Sequence, residues 1–117
     1  MVSREKSTLG EFEQIVLFSV LQLGKLRRGV AIREEIELRT GRQVSSGAIY
    51  TTLGRLEERG LVTSQATEAT SGRAGRPRKQ YVVGPAGARS LLDAYSAIQA
   101  MAKGQIPKLA KLAERRW

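Results

Sequence analysis

Residues 45–60, SSGAIYTTLGRLEERG, read as one helix whose two faces carry different residues. At about 100° per residue, Ile49, Thr52, Leu53 and Leu56 gather on one side, and Gly47, Tyr50, Thr51, Gly54 and Arg55 on the other. The first face is fit for burial. Ser45 or Ser46 caps the start, because a side-chain oxygen there accepts from a free backbone N–H, and Gly60 stands where a left-handed residue stops a helix. The outward face is small or hydroxylic around one tyrosine and one arginine, and the free N–H groups of the first turn add partial positive charge. Such a surface can lie against a phosphate backbone and reach base edges in a major groove. An ordinary amphipathic helix with one solvated side has the same pattern, so its neighbours must decide.

Upstream, Val30 to Thr40 has Ala31, Ile32 and Ile36 at inward positions and Glu34, Glu35, Glu37 and Arg39 at solvated ones, and Gly41 closes it. The three glutamates have no histidine beside them and cations three or four residues away, so they read as a solvated face rather than a metal or acid–base site, as do Glu57 and Glu58. Arg42 to Val44 then bridges in extended form. Helix, short glycine-containing turn, helix is the spacing of a helix-turn-helix, whose second member enters the major groove. Downstream, Leu61 to Glu68 and Lys79 to Val83 are strand-rich, and Ala69 to Arg78 (ATSGRAGRPR) joins them as a flexible loop. These segments predict a hairpin with a basic tip.

The chain has 117 residues and a net charge of +9, with 20 Lys and Arg against 11 Asp and Glu. Residues 1–60 carry 10 basic and 8 acidic side chains, residues 61–84 carry 4 and 1, and residues 85–117 carry 6 and 2. All four cations of the middle block, Arg73, Arg76, Arg78 and Lys79, fall within the tip and the start of its second strand. A patch of that kind favours a polyanionic partner, since neutralising phosphates releases condensed counterions. Gly75-Arg76-Pro77 with Arg73 and Arg78 is similar to an AT-hook core, which predicts Arg76 in or over a minor groove, with Pro77 lowering the entropy of ordering the loop.

The first long helix, from Thr8 to about Gly24, is apolar over most of its circumference and needs cover on several sides, part of which a second subunit can supply. After Gly84, Pro85 opens a last helix in which Ala88, Leu91, Tyr95, Ile98 and Ala102, with Leu92 beside them, follow the spacing of a helix-pairing seam. That seam serves a dimer or an intramolecular docking equally well. Gly104 and Pro107 interrupt it, and Lys108 to Trp117 follows as two amphipathic turns or a basic tail. The expected organisation is 1–84 as a DNA-binding domain, 85–104 as a dimerisation helix, and 105–117 as a basic tail or short helix.

Cysteine and histidine are both absent, which removes thiol nucleophiles, Ser-His triads and ordinary zinc sites together. No convergent nucleophile, base and orienter is visible, so an enzyme is not expected, and neither a cofactor nor a metal is called for. No apolar run approaches the roughly 20 residues of a membrane span, and no signal pattern opens the chain; a cytoplasmic protein without a membrane partner is expected.

Three stretches, LGEFEQIVLFSVLQLG at 9–24, GVAIREEIELRTGRQVSSGAIYTTLGRLEERGLV at 29–62 and GRPRKQYVVGPAG at 75–87, together resemble PadR-type transcriptional regulators. The resemblance implies a mainly α fold with a small β-hairpin, a winged helix-turn-helix plus a C-terminal dimerisation helix. It implies a homodimeric DNA-binding repressor, with Ser46, Gly47, Tyr50, Thr51 and Arg55 on the recognition helix and Arg76, Arg78 and Lys79 at the wing, to which the charge pattern adds Arg73; such a pair is expected on a pseudo-palindromic double-stranded operator. It also implies pairing through the first and last helices, with Phe12, Val16, Leu91, Leu92, Tyr95, Ile98 and Ala102 at the seam. Two positions depart from the family pattern: Thr51 follows Tyr50 where proline is common, and Arg28 precedes Gly29 where an aromatic is frequent. Operator preference therefore does not transfer, and an aromatic-lined effector pocket is not implied; any small-molecule effector is left open. The competing reading is a protein-interaction module in which the winged dimer is only a scaffold.

Overall fold

A computed structural model describes residues 8–24, 28–66 and 79–115. In chain order it contains α1 (Glu11–Leu23), α2 (Gly29–Thr40), α3 (Ser46–Glu58), β1 (Val62–Ala66), β2 (Lys79–Val83), α4 (Pro85–Ala102) and α5 (Ile106–Ala113). The mainly helical architecture with one antiparallel hairpin agrees with the sequence reading, and so does the turn between α2 and α3. There Gly41 adopts φ 74° and its N–H reaches Glu37 O, while the Thr40 hydroxyl donates to Ile36 O and accepts from Arg42 N.

The core lies where α1, α2 and α3 meet the hairpin. Val16, Leu17, Ile32, Ile36, Ile49, Leu53, Leu56 and Val62 are all fully buried in it. A helix of the length of α3 is marginal alone in water. Its apolar side chains lock it instead, since burying each contributes roughly 1.5–3 kcal/mol.

Both ends of α3 are fixed as its sequence predicts. Ser45 Oγ accepts from Ala48 N at 3.0 Å, and Gly60, at φ 75°, turns the chain so that its N–H donates to Glu57 O and that of Leu61 to Leu56 O. Helix α1 braces the same unit from below. Glu11 pairs with Arg42 just ahead of α3, and Glu13 with Arg59 just behind it.

The hairpin pairs Val62 with Val83 through Ala66 with Lys79. Within it, buried Tyr81 lies opposite Ser64, and the Ser64 hydroxyl donates to Glu57 Oε2 at 2.7 Å. Burial pushes the Tyr81 phenol above its ordinary value, and the nearby Glu57 carboxylate and then Tyr50 push it the same way. The fold thus favours the neutral phenol. Its contribution is complete below the unfolded value of about 10 and is lost as pH climbs through the raised folded value. Urea midpoints measured from about pH 8 to about pH 11 are expected to fall more steeply for the wild type than for Tyr81→Phe.

Helix α4 begins at Pro85, as expected, and lies against α1 and β2. Its seat is tight: Gly84 N donates to Leu61 O at 3.1 Å, and Gly87 lies so close to that carbonyl that a β-carbon there would overlap it. Gly104, at φ 79°, separates α4 from α5. Of the two alternatives for the end of the chain, a short helix or a basic tail, residues Ile106–Ala113 take the first as α5, which includes Pro107 and has no buried residue.

Candidate nucleic-acid interface

Because Ile49, Thr52, Leu53 and Leu56 are committed to the core, the opposite side of α3 is set outward. Ser46, Gly47, Tyr50, Thr51, Gly54 and Arg55 are all exposed. No acidic residue occurs from Gly41 to Leu56, so this face offers donors and cations without a repelling carboxylate until its last turn, where Glu58 is exposed. Tyr50 is only 48% exposed. Its phenol rests on the backbone of Gly29 at the start of α2, where a side-chain methyl would overlap the ring. A β-carbon on Gly54, by contrast, would meet nothing within 4 Å.

Lys79, at the foot of the wing, is exposed on β2. Arg73, Arg76 and Arg78 lie outside the described residues. Sequence reasoning passed over Arg33, which reaches from the middle of α2 to the start of α3, with Nη1 donating to Ser46 Oγ at 3.2 Å. Thirteen residues separate the two, and no local periodicity reports a contact across a turn.

The expected subunit seam needs correction at two positions. Val16 is 0% exposed and Leu91 4%, both packed inside their own chain, and Phe12 packs partly against the same core. The apolar surface left open on α1 is instead Phe18 and Leu21, one turn apart. Phe18 meets Tyr95 of α4 edge-on, with ring centres 5.7 Å apart. Leu92, Tyr95, Ile98 and Met101 remain exposed along α4, and Ala102 is half-buried. The error has a physical origin: α1 is apolar nearly all round, so its period does not distinguish the core face from the open one.

Among the described residues no cluster of His, Cys, Asp and Glu could hold a metal, and no helix is long and apolar enough to cross a membrane. Two of the three glutamates of α2 pair along the helix, Glu35 with Arg39 and Glu37 with Arg33, and Glu34 is exposed.

Residues 17–93, about two thirds of the chain, match the family described as transcriptional regulator PadR-like. The chain belongs to this family. Its members are transcriptional regulators rather than enzymes. No curated protein sequence matches the chain. Among solved structures, a transcriptional regulator from Thermoplasma acidophilum is 28% identical at TM-score 0.64, with 83% of this chain and 90% of that one covered. A PadR-like regulator from Bacillus cereus is 21% identical at TM-score 0.64, over 90% and 93% of the two chains. A PadR family regulator from Clostridium difficile is 22% identical at TM-score 0.65, over 84% and 98%. The last two speak for the fold of this PadR-like chain and for nothing finer.

Proposed function

We propose that this PadR-like protein is a sequence-specific, double-stranded-DNA-binding repressor that works as a homodimer. The observation that carries the reading is the division of α3: one face wholly committed to the core, and the other exposed, free of acidic residues from Ser46 to Leu56 and led by its cationic end. Arg55 is assigned a forked contact to a base or phosphate, Tyr50 and Ser46 hydrogen bonds to phosphate, and Thr51 a base edge or thymine methyl. Gly47 lets the helix start approach the backbone closely. Residues 1–84 form the DNA-binding unit and 85–104 the pairing helix, with Phe18 and Leu21 joining Leu92, Tyr95 and Ile98 at the seam. Two recognition helices about 34 Å apart then enter successive major grooves of a pseudo-palindromic operator. Arg73, Arg76, Arg78 and Lys79 of each wing hold the flanking DNA.

Selection of bound duplexes from a random pool tests binding, symmetry and spacing together. Inverted half-sites one helical turn apart are the expected result; no enrichment at physiological salt would leave only the interaction-module reading. With the selected duplex, Arg76→Ala is expected to weaken binding to all sequences alike and to lower the salt slope by roughly one unit. Thr51 substitutions should instead change which sequence is preferred. Anisotropy titrations at several salt concentrations separate the two behaviours.

A further inference from the structure

Ser46, the first residue of α3, is exposed on the proposed reading face, but its hydroxyl is not uncommitted. Arg33 Nη1 donates to Ser46 Oγ at 3.2 Å. A guanidinium has donors and no acceptor, so this contact runs in one direction only. Ser46 must accept, and its single proton is left to point elsewhere. Arg33 is itself held in place: its Nε is buried without a hydrogen-bond partner and faces Glu37 Oε2 at 3.6 Å across one turn of α2. Glu37 in turn carries the hydrogen bond that closes α2, its carbonyl accepting from Gly41 N.

We infer that Arg33 is a positioning residue for DNA recognition, turning Ser46 toward outward donation to a phosphodiester oxygen. The inference rests on the DNA-binding reading above. A hydroxyl free to rotate can present a proton or a lone pair, and so accommodates donors and acceptors alike. One that already accepts from a cation has a single lone pair left to offer, and the cation polarises the O–H bond toward donation. Phosphate oxygens are acceptors only. The adjacent Ser45 has a different task, since its oxygen caps the backbone at Ala48 N.

The test is a double-mutant cycle with the selected duplex: wild type, Arg33→Met, Ser46→Ala and the double variant, each checked for unchanged thermal unfolding. Arg33→Met is expected to weaken binding about fivefold when Ser46 is present and less than twofold in the Ser46→Ala background. Arg33→Lys, which keeps a cationic N–H donor of similar reach, is expected to recover most of the loss. Equal losses in both backgrounds would mean that Arg33 acts on DNA directly or through the fold, and would overturn the inference, as would no loss in either. A wild-type protein that binds no duplex sinks the DNA-binding reading itself, whereas additive losses on a duplex that is bound sink only the role of Arg33.

Discussion

Replacing Gly87 by alanine is expected to destabilise the protein by about 3 kcal/mol, the upper end of what an overpacked contact costs, and to lower its melting temperature by about 10 °C. The added methyl would overlap the Leu61 carbonyl oxygen and would lie 3.0 Å from Leu61 C and 3.1 Å from Val83 Cγ1. Two of these atoms are backbone, so no rotamer change relieves the overlap. Helix α4 must lift away, and lifting strains the hydrogen bond from Gly84 N to Leu61 O. The sign makes the test sharp, because glycine to alanine inside a helix ordinarily stabilises by roughly 0.5–1 kcal/mol. Gly54→Ala, where a β-carbon meets nothing within 4 Å, supplies that ordinary case in the same protein. Thermal and urea unfolding of both variants checks the pair; an unchanged melting temperature for Gly87→Ala would show that α4 is not seated as described.

The second large effect concerns assembly. Ile98 is 60% exposed and supports little within its own chain, so Ile98→Glu should leave the subunit folded. In the proposed dimer the same position is covered, and an unpaired carboxylate there costs several kcal/mol. Sedimentation velocity is expected to show a dimer converted to monomer at micromolar concentration. Affinity for a two-half-site duplex should fall by about 100-fold or more, because the second half-site no longer binds as an intramolecular event. A variant that stays dimeric and binds normally would place the seam elsewhere. Circular dichroism matching the wild type guards against reading an unfolding event as dissociation.

What could be read from the sequence was whatever is encoded locally. Ser45, Gly60, Gly41 and Pro85 each act within one turn of the chain, and each does in the structure what its residue type predicts. The outward set on α3 was equally legible, because four core side chains at helical spacing leave its other residues a single direction. Arg33 beside Ser46 and Gly87 beneath Leu61 O depend on segments far apart in sequence meeting at close range, and no propensity or period carries that information. The seam on α1 failed for a different reason. Val16 and Phe18 are equally apolar, and only the placement of α2, α3 and α4 around the helix decides that the first is enclosed and the second open.

Helix α1 reaches the residues flanking both ends of α3 through the Glu11–Arg42 and Glu13–Arg59 pairs, and further along it carries Phe18 and Leu21 toward the proposed second copy. In the proposed complex a single thirteen-residue rod is thus the ruler between the twofold and the groove. In that assembly a change in half-site spacing could not be made within α3 alone: it would require either re-angling this rod or re-cutting the surface on which it meets its twin.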